Sequence, residues 1–106
     1  MSDKELLELA ATAYGDLVYV PDMGWIAQDE HGNRGAWWNP FGDDGDALRL
    51  AVKLGLCVMT PTKNSSECLV IDEDVELMIE ETQDDYYAST RRAIVRAAAE
   101  IGKGIK

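Results

Sequence analysis

Three stretches with apolar residues at helical spacing, separated by runs of strand formers too short to bury a face unaided, set the tightest limit on how this chain can fold. The first spans residues 3–14. Leu6, Leu9, Ala10 and Ala13 fall on one side, Ser2 and Glu5 form a capping-box pattern, and Gly15 supplies a stop. The second spans 46–54, where Ala47, Leu50, Ala51 and Leu54 share a face, Asp43, Asp44 and Asp46 complement the dipole at its start, and Gly55 ends it. The third spans 86–101, opened by Asp84 and Asp85 and closed by Gly102, with Tyr87, Ile94, Ala97, Ala98 and Ile101 as its apolar stripe.

Strand formers fill the gaps: 17–20, a short run at Trp25 and Ile26, a return through Trp37 and Trp38, then 56–60 and 68–71. Val75, Leu77 and Ile79 alternate with polar residues, a period of two broken only by Met78. Pro21-Asp22-Met23-Gly24, the polar run 29–33, Asn39-Pro40, the 63–66 loop after Pro61 and Asp72-Glu73-Asp74 mark the turns. Strands this short need helices on them, and amphipathic helices need a surface. The sequence therefore predicts an α+β fold: a small, largely antiparallel sheet covered by three helices in the order helix, strands, helix, strands, helix. With 106 residues and neither repeat nor linker, residues 1–106 form one domain. Such a chain buries about 65% of its unfolded surface, enough for one core without metal or disulfide support.

Twenty Asp and Glu against ten Lys and Arg leave a net charge of −10. Contacts to phosphate need Lys and Arg, so direct nucleic-acid binding is not expected, and an anionic membrane surface is disfavoured for the same reason. No apolar run approaches a membrane span, and the acidic opening is unlike a signal peptide. These features point to a cytoplasmic chain with reduced thiols. Cys57 and Cys68 form no CxxC pair and read as small core residues, with a disulfide left open if their strands lie side by side.

No cofactor is implied. Asp43-Asp44-Gly45-Asp46 lacks the alternating oxygens and the glutamate at position twelve of a calcium loop, and the same residues serve as helix caps. His31, the single histidine, sits in a Gly-Asn turn with no nucleophile and orienting acid beside it. Gly102-Lys103-Gly104 follows a helix and offers an anion no helix N-terminus. The chain reads as non-enzymatic.

Two surfaces qualify for a partner. Residues 72–85 hold eight acids, among them Asp72, Glu73, Asp74, Glu76, Glu80 and Glu81, while Arg91, Arg92, Arg96, Lys103 and Lys106 supply half of the bases. Trp25, Trp37, Trp38 and Phe41 crowd a single region, and adjacent Trp37 and Trp38 on a strand must face opposite ways. Helices over both faces would bury both rings; otherwise one ring becomes an interface anchor. Asn39, Pro40, Asp43 and Asp44 are expected to build the turn and cap.

Trp37-Trp38-Asn39-Pro40, followed by Asp43-Asp44-Gly45-Asp46-Ala47-Leu48, resembles the W-N-P…D-A-W/L region of small proteins of tailed phages and prophages, in the phage ABA-sandwich domain group. Residues 87–101 are similar to the C-terminal helix of those proteins. Together the two stretches cover about a quarter of the chain. The resemblance implies an α+β sandwich and a phage accessory protein in the bacterial host cytoplasm, and carries over no catalytic residues. The function expected is binding of a host protein, such as a defence component, through the acidic surface. The alternative is a nucleotide-like small-molecule module in the 37–44 region.

Overall fold

The computed structural model describes residues 2–28, 31–59, 67–72, 77–82 and 85–105. The 63–66 loop, Glu73, Asp74, Glu76 and Asp84 lie outside the described residues.

Helix α1 (Asp3–Tyr14) starts where the capping box places it: Ser2 is the N-cap, and its Oγ accepts the Glu5 N–H at 3.2 Å. Strands β1 (Leu17–Val20), β2 (Gly24–Gln28) and β3 (Arg34–Trp38) follow as an antiparallel meander. Its register sets Val18 opposite Ile26 and Ile26 opposite Trp37, and on the alternate face Tyr19 opposite Trp25 and Trp25 opposite Trp38. The β1–β2 turn has Pro21 followed by Asp22 at φ 65°, and the Met23 N–H donates to the Val20 carbonyl at 3.0 Å. That matches a Pro-initiated turn with positive φ at its second central position.

Helix α2 (Asp44–Leu54) begins two residues earlier than its apolar spacing predicts, because Asp43 is the N-cap. At its far end Gly55 sits at φ 67°, ψ 34°; its N–H donates to the Val52 carbonyl and the Leu56 N–H to that of Ala51, closing a Schellman motif. Strands β4 (Cys57–Met59), β5 (Glu67–Asp72) and β6 (Leu77–Thr82) form a second antiparallel sheet in that order, and α3 (Tyr86–Ile105) closes the chain.

The α+β class holds, with three helices and small antiparallel sheets. The strands divide between two three-stranded sheets, where one was expected. The reason lies in α2: it separates the first three strands from the last three, and each short group completes its ladder locally.

Helix α3 is the centre of the molecule. It packs against α1, α2, β5 and β6. Ala93, Ile94, Val95, Ala97, Ala98 and Ala99 are all buried, so burial runs around the helix rather than along one stripe. Tyr87, assigned to that stripe, points out and is 71% exposed. Gly102 does not end α3 either. It is a buried helical residue lying so close to α1 that an added Cβ would fall onto the Leu9 carbonyl. Leu6, Ala10 and Ala11 of α1, Ala47, Leu50 and Ala51 of α2, and Trp38 complete the core.

Cys57 departs from the core reading as well. Cys57 is exposed and free, and the register sets it opposite Ile71, three positions along β5 from Cys68. Three strand residues span about 10 Å, beyond the reach of a disulfide.

Candidate functional site

The turn that leads into α2 is tied by carboxylates. The Asp43 side chain accepts the Asp46 N–H at 2.8 Å, and Asp46 in turn accepts the Asn39 N–H at 2.9 Å and a guanidinium N–H of Arg49 at 2.7 Å. The Asn39 side-chain oxygen accepts the Gly42 N–H at 3.2 Å, and Pro40 is fully buried. The hydrogen bond that Arg49 donates to Asp46 pushes the Arg49 pKa up from its ordinary value, opposed by desolvation and helped by the charges of Asp46 and Asp43. Asn39, Pro40 and Asp43 thus act as local structure. Asp44 does not cap; it reaches across to Arg91 at 2.6 Å.

Arg91 is a residue the sequence did not single out for this turn. Its Nε donates to the Phe41 carbonyl at 2.7 Å while its side chain is mostly buried, fastening α3 to the proline turn fifty positions away. Arg92 lies over the Phe41 ring, 5.7 Å from its centroid, and bonds Asp3 at 2.9 Å. Lys103 pairs with Glu100 at 2.8 Å. These bases of α3 are engaged by acids of other helices or their own.

Beside that fastening, α2, β4 and α3 leave an open groove of about 660 Å³. Ala47 and Leu48 form one wall, Val58 contributes from β4, and Tyr86, Tyr87, Thr90 and Ile94 form the other, with the Asp44–Arg91 pair between them. Most of this lining is apolar. Leu48 is 63% exposed, and Val52, one turn further along α2, and Met59 of β4 are exposed too. The amphipathic pattern of α2 hid this: Leu48 and Val52 lie off the face shared by Ala47, Leu50, Ala51 and Leu54.

The paired tryptophans separate. Trp38 is 5% exposed and sits 5.6 Å from the Tyr14 ring, its indole N–H buried without an acceptor among the described residues. Trp37 is 46% exposed, which corrects the reading that helices bury both rings. Successive residues of β3 face opposite ways, and of the two rings Trp38 alone joins the core packed by the helices. The stretch 37–44 does not converge on one cavity: Trp38 and Pro40 enter the interior, Trp37 turns away, and Asp44 alone lines the groove.

Of the acidic candidates, Asp72 ends β5 opposite Leu77, and Glu80 and Glu81 occupy successive positions of β6 opposite Leu69 and Cys68. Glu73, Asp74 and Glu76 lie outside the described residues. His31 is exposed. Among the described residues, no three His, Cys, Asp or Glu side chains converge as a metal ion would need, and no helix is long and apolar enough to cross a membrane.

No protein-family model, no curated protein and no solved structure matches this chain.

Proposed function

We propose that this protein is a non-enzymatic protein-binding module whose contact surface is the groove between α2, β4 and α3. The observation that carries this reading is the cluster of large side chains turned outward around the groove. Leu48 and Tyr87 stay mostly exposed there, and Tyr86 in the same lining is 44% exposed. A folded chain gains about 1.5–3 kcal/mol by burying one such side chain, so several left out together mark a surface that a partner covers. The resemblance of the 37–48 stretch and of the last helix to phage proteins makes a bacterial host protein the partner to look for. Trp37 offers a second contact on the opposite sheet, and the acidic 72–85 segment supplies charge that steers encounter.

The groove volume also lies in the range of small-ligand sites, which keeps a metabolite as the competing occupant. Site-specific photocrosslinking in bacterial cells separates the two. With p-benzoylphenylalanine at position 48, a discrete protein adduct is expected, and none with the same group at Glu8 on the exposed side of α1. A small-mass adduct alone, or equal protein adducts at both positions, overturns the reading.

A further inference from the structure

We draw no further inference here: the strongest candidate, the apolar groove between α2, β4 and α3, belongs to the site already described, and nothing in the structure shows what covers it, since Asp44 and Arg91, the charged side chains of its lining, pair with each other at 2.6 Å.

Discussion

The Asp46 carboxylate serves two partners at once, the Asn39 N–H and the Arg49 guanidinium, while its own N–H is given to Asp43. Neighbouring Asp44 makes an ion pair from a side chain that is largely in water. Three acids within four positions therefore carry different energies. Asp46→Ala removes bonds to a half-buried turn and is expected to cost about 1–3 kcal/mol. Asp43→Ala removes an N-cap and should cost about 0.5–2 kcal/mol. Asp44→Ala should cost about 0–1 kcal/mol, the worth of an exposed pair. Urea denaturation of the three variants checks the ranking, and a larger loss at Asp44 than at Asp46 would contradict it.

At the scale of the element, the contact between α1 and α3 is made of small residues. Ala10 and Ala11 meet a helix with Ala93, Ala97, Ala98 and Ala99 among its buried positions, and Gly102 lets the backbones close in at Leu9. Glycine inside a helix costs about 1 kcal/mol relative to alanine, so propensity alone favours Gly102→Ala. Packing opposes it: the new Cβ would meet backbone, which cannot rotate away, at about 1–3 kcal/mol. The net expectation is destabilisation, read as a fall in Tm of several degrees. Gly104→Ala is the control, since nothing lies within 4 Å of its Cβ position. That variant should hold or raise Tm. Opposite signs for two glycines two positions apart would establish the close approach, and a rise at both would remove it.

Across the whole molecule, the surplus of carboxylates outweighs the ion pairs. Arg49, Arg91, Arg92 and Lys103 are each paired with an acid, and the net charge is still −10. Surface pairs add about 0–1 kcal/mol each, whereas the unneutralised acids repel one another over the full screening length. Raising monovalent salt from about 0.01 M to about 0.1 M shortens that length from about 30 Å to about 10 Å. Tm should therefore rise over this range by thermal denaturation. A fall would mean that attraction within the pairs dominates the surface.

The helices and their starts were legible in the sequence because their causes are local. Ser2 with Glu5, Asp43 with Asp46, and Gly55 act within a few residues of one another, and apolar spacing places the faces of α1 and α2. The turn through Asn39 and Pro40 was readable for the same reason. What the tertiary structure decided is everything that depends on segments far apart in the chain. Arg91 meets Phe41 and Arg92 meets Asp3 across fifty and eighty-nine positions, and no local pattern encodes those meetings. Gly102 reads as a helix stop until α1 is seen against it. Trp37 and Trp38 are equivalent in sequence, and only the packing of the helices against Trp38 sends that ring inward and leaves the other exposed. The groove is likewise a property of packing: Leu48 and Tyr87 become its walls because α2 and α3 meet at one side and part at the other, a geometry set by the core between them.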